Sequence, residues 1–352
     1  MLQFQTHSKK YFKLYSTCIP VKGASRSVIC DLQRESFDFI PNDLYEIISR
    51  FNGRKVKAIL DYAGPENLKM LMEYFSFLIE KQYCFFTDDP DNFPLLNLQW
   101  ESPFQITNAI IDFDSKSNHN LARLVSELND VGCVAVELRF FYSPGIEYLI
   151  SVLENTFGPD SRVRSIALVF EYSSKYGLED LAKLQSSKIY SITLTSAPHN
   201  EIRDGFVSKE TPTSKVVSCS VTYTTIKVNS ADCCGFVSPN RFLVNVQMFT
   251  ESQHHNSCLN RKISVDVKGR IKNCPSSNVS FGRLGEISFL EVILKRNFRK
   301  LWDISKDQIK VCKDCEFRFI CTDCRVFRSS TTDIYAKPLK CNYDPYTAKW
   351  IN

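Results

Sequence analysis

The last quarter of the chain is dominated by cysteines at short, regular spacings. Cys312, Cys315, Cys321 and Cys324 form the pattern C-x2-C-x5-C-x2-C, and Cys341 follows them. Thiolates that share one metal centre must lie close together, and C-x2-C turns supply that geometry. The spacing therefore predicts that this part of the chain folds around a metal.

A second pair of cysteines precedes this run. Cys258 and Cys274 enclose a segment in which Ile263 to Val267 alternate in polarity and Lys268-Gly269 forms a turn signal. This pattern predicts a β-hairpin with a cysteine near each end, where the two thiols can meet.

Composition indicates where such a protein would work. The 352 residues include fourteen cysteines, and the net charge is +5. No run of five or six like charges suggests nucleic-acid binding, no apolar stretch of about 18 residues suggests a membrane span, and residues 1–15 lack the apolar core of a signal peptide. We expect a cytoplasmic protein whose clustered cysteines bind metal. The scattered cysteines are expected to be buried apolar residues: Cys18, Cys30, Cys84, Cys133 and Cys219.

Three segments with different patterns divide the chain. Residues 1–95 predict a small winged-helix-like module. Its strands are predicted in 11–21, 25–32, 35–40 and 83–86, and its helices in 42–52 and 65–82. Residues 103–230 alternate strand-length apolar runs with amphipathic helices, which predicts a parallel sheet in an α/β, partial β/α barrel. Residues 214–223 and 240–249 are predicted to extend that sheet, and residues 231–352 hold the cysteine patterns.

The cysteine patterns resemble the SPASM domain, the auxiliary-cluster module of radical S-adenosylmethionine peptide maturases. Its pattern is C-x(9-15)-G-x4-C followed by C-x2-C-x5-C-x3-C and a last cysteine. Here the pair Cys321 and Cys324 is C-x2-C instead. By the same resemblance, residues 1–95 are similar to the leader-peptide-binding recognition element of ribosomal-peptide systems, and residues 103–230 are similar to a degenerate radical enzyme barrel.

One departure bears on activity. The catalytic cluster of those radical enzymes is held by C-x3-C-x2-C after the first barrel strand, whereas residues 114–119 of this chain contain no cysteine and the motif occurs nowhere else. No S-adenosylmethionine-cleaving cluster is expected. Catalytic residues stay unassigned, and the sequence leaves open whether the protein is an enzyme.

The resemblance implies two auxiliary [4Fe-4S] clusters. Cluster one would be held by Cys258, Cys274 and Cys324, and cluster two by Cys312, Cys315, Cys321 and Cys341. A fourth ligand for cluster one is left open among His254, His255, Cys233, Cys234 and an unligated iron. Zinc is the alternative metal, since four thiolates also suit a tetrahedral zinc site.

The residues around the cysteines, such as Cys315 to Arg325, resemble the maturases of grasp-with-spasm ribosomal-peptide systems. That likeness implies two partners, a ribosomal precursor peptide and an ATP-grasp ligase. Two alternatives stay open: a zinc-stabilised peptide-binding scaffold without a redox role, and a redox enzyme that uses an open auxiliary cluster.

Overall fold

The computed structural model describes residues 6–158, 160–184, 188–206 and 219–351, with the backbone alone at residues 178 and 204–206. Residues 214–218 of one predicted strand therefore lie outside the described residues.

The N-terminal module, residues 6–95, contains two small antiparallel sheets. One pairs β1 (Tyr11–Leu14) with β5 (Cys84–Thr87), and the other has the order β2 (Cys18–Val21), β3 (Ser27–Asp31), β4 (Ser36–Ile40). The sequence predicted one strand over 11–21, but turn residues between Leu14 and Cys18 split it into β1 and β2, which belong to different sheets.

Three helices complete this module: α1 (Asn42–Phe51), α2 (Val56–Ala63) and α3 (Leu68–Glu80). In α1 the buried residues follow helical spacing: Leu44, Ile47, Ile48 and Phe51. The short helix α2 was not predicted.

The N-terminal sheet is covered on both faces. Ile29 of β3 belongs to the module's own core, whereas the adjacent Val28 and Cys30 pack in a cluster with Phe317 and Tyr343 of the cysteine-rich region. Side chains alternate across a strand, so all of β3 is buried.

A central eight-stranded sheet follows. Its middle strands are β6 (Asn108–Phe113), β7 (Ala135–Phe140), β8 (Ser165–Glu171) and β9 (Ile189–Thr195), which pair in parallel and in sequence order. On one side, β11 (Cys219–Tyr223) pairs in parallel with β9 and antiparallel with β10 (Glu201–Phe206). These pairings confirm the prediction of an α/β fold with a mostly parallel sheet.

Helices flank this sheet. They are α4 (Leu121–Asp130), α5 (Ile146–Thr156) and α6 (Leu178–Lys183), which connect successive parallel strands. Asn120 caps α4 by accepting a hydrogen bond from the Arg123 amide at 2.9 Å.

The first cysteine hairpin joins the central sheet. Its strands are β12 (Lys262–Val265) and β13 (Ile271–Lys272), and β12 pairs in parallel with β6. The predicted strand over 240–249 is wrong, because α7 (Val246–His254) begins there, capped by the Asn245 side chain. The segment is too short for the spacing of its apolar residues to distinguish a strand from a helix.

The remaining chain is mostly irregular. It contains α8 (Phe289–Leu294), α9 (Arg296–Arg299) and a terminal hairpin of β14 (Tyr343–Asp344) with β15 (Lys349–Trp350). None of the helices in the described residues combines the length and the apolarity that a membrane span requires.

Candidate metal centre

Four cysteines from four separate segments line one cavity of about 130 Å³. They are Cys234, Cys258, Cys274 and Cys324, called here the first cysteine group. Three of them are the residues that the SPASM resemblance implies for cluster one, and Cys234 is one of the four candidates for its fourth ligand. The cavity has roughly ten times the volume that admits one water molecule.

The other three candidates lie elsewhere. The His255 Nδ1 atom is 3.0 Å from the Asp303 Oδ1 atom, and its ring packs beside Trp100 at a different cavity. The Cys233 thiol contacts the Lys227 carbonyl at 3.5 Å. His254 is exposed at the end of α7. Within the described part of the chain, Cys234 is thus the candidate that shares a cavity with the other three thiols.

A glycine next to Cys234 allows the close approach. Gly235 has φ +88°, and a Cβ atom there would lie 3.1 Å from the Cys324 Sγ atom and 3.1 Å from the Phe327 ring. Any other residue would be strained in this backbone conformation and would crowd the thiol. The segment is also held by Lys340, whose ammonium donates to the Cys234 carbonyl at 2.7 Å.

A buried amide positions Cys258. The Asn256 Oδ1 atom accepts hydrogen bonds from the backbone amides of Cys258 and Leu259, at 3.0 and 2.8 Å. Its Nδ2 atom donates to the Asp323 Oδ2 atom at 2.7 Å. Asn256 therefore links the loop of Cys258 directly to the residue before Cys324.

Asp323 is itself part of a buried ion pair. Its carboxylate lies 2.7 Å from the Arg325 guanidinium, and both side chains are essentially inaccessible to solvent. Arg325 also donates to the carbonyls of Ile334 and Ala336. A buried charge pair with several hydrogen bonds holds its segment in one geometry, here the segment between Cys321 and Cys324.

The hairpin positions Cys274. The Asn273 side chain donates to the carbonyls of Leu259 and Lys262, at 3.0 and 2.7 Å. These bonds fasten the end of β13 to the chain that follows Cys258, as the hairpin prediction required.

The second cysteine group comprises Cys312, Cys315, Cys321 and Cys341. Cys312 and Cys321 are buried, and Cys315 and Cys341 are partly buried in the same apolar cluster as Cys321. Tight turns shape the run from Cys312 to Cys321: the Cys315 amide donates to the Cys312 carbonyl at 3.0 Å, and the Cys321 amide donates to the Phe317 carbonyl at 3.0 Å.

Desolvation raises the pKa of several of these thiols. It raises the pKa of Cys258 to about 12, with the nearby Lys262 ammonium opposing the shift. It also raises the pKa of Cys312 to about 12, where Lys306 opposes it and Cys321 and Cys341 add to it. Thiols with such pKa values are protonated at neutral pH, so metal binding would have to release their protons.

Two lysines beside the thiols were not found from the sequence. The Lys262 ammonium is 3.6 Å from the Cys258 sulfur. Lys306 is buried and donates to the Thr322 carbonyl at 3.3 Å, beside Cys321. For charged groups other than these lysines, the sequence did offer a signal: Asp323 and Arg325 lie directly before and after Cys324.

The donor spacing bears on which metal fits. Among the described residues, no three His, Cys, Asp or Glu side chains converge closely enough to hold a single metal ion. A zinc ion with bonds of 2.3 Å would need its sulfurs about 3.8 Å apart. A [4Fe-4S] cluster instead occupies space between its cysteine ligands.

The scattered cysteines behave as predicted. Cys18, Cys30, Cys84, Cys133 and Cys219 are all buried.

In the loop after β6, the His119 Nε2 atom lies 2.9 Å from the Asp112 carbonyl oxygen. The adjacent Asp112 carboxylate forms a buried two-point ion pair with Arg139, at 2.7 and 2.9 Å.

The sequence matches no protein-family model, and it has no significant match among curated proteins.

Proposed function

We propose that this protein binds a ribosomal precursor peptide and carries two [4Fe-4S] clusters while a partner ATP-grasp ligase modifies that peptide. The observation that carries the proposal is the first cysteine group, in which four thiols from distant parts of the chain surround one cavity. An apolar core does not require four cysteines from residues 234 to 324 at one cavity, so their grouping favours a metal-binding role.

The residues present fit such clusters. Cys234, Cys258, Cys274 and Cys324 would hold cluster one, and the second cysteine group would hold cluster two. When bound, such clusters accept or pass on single electrons, or serve as structural centres. The protein's own contribution is to place the thiols, through Asn256 and Asn273, and to set positive charge beside them, through Lys262 and Lys306.

A fourth thiol at the cavity favours a closed cluster one. Centres that bind substrate keep one metal position free, whereas structural and electron-transfer centres are fully ligated. Cys234 therefore favours a structural or electron-transfer role over a redox enzyme with an open iron. The zinc-stabilised scaffold is the competing proposal, because four cysteines also suit a zinc site.

The N-terminal module supports the peptide-binding half of the proposal. Within the described residues, β4 pairs only with β3, so its outer edge could accept an added peptide strand. The opposite edge strand, β2, carries Pro20, and residues Leu95, Leu96 and Leu98 lie beside it. Next to the free edge, Phe39 is 46% exposed and offers an apolar anchor.

Metal content tests the cluster assignment. We would purify the protein without oxygen and measure iron, acid-labile sulfide and zinc per chain. The proposal predicts about eight irons and eight sulfides. About one or two zinc ions without sulfide would replace it with the zinc scaffold.

Peptide binding tests the other half. The probe is a fluorescent leader peptide of a grasp-with-spasm precursor, titrated with the full chain. We expect saturable binding that Phe39→Ala weakens at least about tenfold, because hot-spot aromatics contribute 2 kcal/mol or more. Tyr62→Ala, which removes an aromatic ring that is 54% exposed on α2, is the matched control and should leave binding unchanged. Equal loss in both variants, or no binding at all, would remove the peptide from the proposal.

A further inference from the structure

One cavity whose lining includes no cysteine is strongly cationic. It measures about 680 Å³ and is lined by four cationic side chains, Arg261, Arg296, Arg299 and Lys300, against one carboxylate, Asp303. Small-molecule sites occupy roughly 300 to 1,000 Å³, so this cavity has the size of a ligand site.

Three of the cations lack a polar partner among the residues that the structure describes. In the described ranges, no ion pair or side-chain hydrogen bond involves Arg296, Arg299 or Lys300, and all three are exposed. Asp303 is already engaged by His255 at 3.0 Å. Among the described residues, the cations that line this cavity therefore outnumber its one carboxylate by four to one.

A second observation points to a missing acceptor. Trp302 is part of the cavity wall and is only 8% exposed. Its indole Nε1–H is buried without a hydrogen-bond acceptor in the part of the chain that the structure describes. Buried donors are almost always satisfied, so the Trp302 indole should donate to a water molecule or to a ligand oxygen at this wall.

The fourth cation is already fixed in place. Arg261 donates to the carbonyls of Ser102 and Phe104, and its guanidinium lies over the Trp100 ring, 5.4 Å from the centroid. Its backbone has φ +46°, a conformation that costs a non-glycine residue free energy. A rigid, preorganised arginine loses little entropy when it binds an anion.

We propose that this cavity binds the polyphosphate group of a small organic phosphate. Guanidinium groups bind phosphate oxygens through two parallel hydrogen bonds. A di- or triphosphate concentrates several negative charges in one compact group, which matches four cations around one cavity. Peptide carboxylates on one face of a strand are spaced about 6.7 Å apart and cannot match that density. The proposal is independent of the metal clusters and of the precursor peptide.

Calorimetric titration of the metal-loaded, full-length protein tests this proposal. The probes are inorganic tripolyphosphate, adenosine triphosphate and adenosine, at low and at physiological salt. We expect both phosphates to bind at one site, more weakly at higher salt, and adenosine not to bind. Tighter binding of adenosine triphosphate than of tripolyphosphate would identify a nucleotide as the ligand, and equal binding would identify the phosphate chain alone.

A triple variant, Arg296→Gln/Arg299→Gln/Lys300→Gln, should weaken tripolyphosphate binding at least about 100-fold, because three charge-assisted hydrogen bonds to the phosphates would be lost. The control is Arg54→Gln/Lys57→Gln/Lys69→Gln, which removes the same charge from exposed positions of the N-terminal module. The substituted residues are exposed in both variants, so both should stay folded, as circular dichroism would check.

Trp302→Phe keeps an aromatic side chain but removes the indole N–H donor, and it should weaken tripolyphosphate binding several-fold. The proposal is overturned if tripolyphosphate does not bind, if the two triple variants lose binding equally, or if a polyglutamate peptide of equal charge binds as tightly as tripolyphosphate.

Discussion

The Arg26 Nε atom lies 2.9 Å from the Glu316 Oε1 atom, which joins residues 290 positions apart in the chain. The Glu316 side chain is fully buried, and the same oxygen accepts a hydrogen bond from the Tyr343 hydroxyl. Arg26 belongs to the turn before β3, and Glu316 follows Cys315. One carboxylate therefore fastens the N-terminal module to the second cysteine group.

Removal of Arg26 should destabilise this junction. Arg26→Met leaves the Glu316 carboxylate buried without its cation, which costs about 3–5 kcal/mol for a fully buried pair. Because the Arg26 side chain is 30% exposed, we expect about 2 kcal/mol, measured by urea unfolding. The double variant Arg26→Met/Glu316→Leu should lose less than Arg26→Met alone, since no charge is then left unpaired. Additive losses would show that the two residues are not coupled.

Cys234 and Cys324 belong to one cavity although 90 positions separate them in the chain. Cys234→Ser should therefore weaken iron binding in the first cysteine group alone, so that the total falls below about eight but not below about four per chain. Cys233→Ser replaces the adjacent thiol and should leave the iron content unchanged, as should His254→Ala/His255→Ala. If either control loses as much iron as Cys234→Ser, Cys234 is not the fourth ligand.

Asp323 stands between Cys321 of the second group and Cys324 of the first. Asp323→Asn would leave Arg325 buried without a counter-charge, which should cost about 3 kcal/mol in the free energy of unfolding. Because Asp323 also binds Asn256, the loop of Cys258 should loosen as well. We expect both cysteine groups to lose iron on dilution. The rate at which a chelator takes up the released iron measures this loss.

The control for that experiment is Asp307→Asn. Asp307 pairs with Arg318 at 2.9 Å, but its side chain is 51% exposed, so the substitution should change stability by no more than about 1 kcal/mol. Equal iron release from the two variants would contradict the role assigned to the buried Asp323–Arg325 pair.

Local patterns explain which parts of the fold were predictable. The four middle strands of the sheet and their helices follow short-range periodicity, and the hairpin between Cys258 and Cys274 follows its turn residues. Each of these features is determined by fewer than about twenty consecutive residues. Helix α2 was missed because its eight residues are too few for the pattern to repeat.

Long-range packing explains what was not predictable. The sequence listed Cys234 as one of several candidates, and only the folded chain brings it to Cys258, Cys274 and Cys324. The same holds for Asn256, whose partner Asp323 is 67 residues away. The pairing of β12 with β6 likewise joins segments that sequence patterns had assigned to different parts of the chain.

Gly235 and Gly285 have similar φ angles but different surroundings, and this difference allows the last prediction. Gly235 has φ +88° and would place a Cβ atom 3.1 Å from the Cys324 sulfur, whereas Gly285 has φ +92° with open space around it. An alanine at either position pays about 1–3 kcal/mol of backbone strain. Only Gly235→Ala also pushes against the thiol that would bind cluster one.

We therefore expect Gly285→Ala to lower the unfolding midpoint while it retains about eight irons per chain, and Gly235→Ala to fall to about four. Visible absorbance and iron content of the two proteins, prepared in parallel, would measure the difference. Iron loss in both variants would mean that backbone strain alone causes the loss. Full iron content in Gly235→Ala would mean that Cys324 does not need its present position to bind the metal.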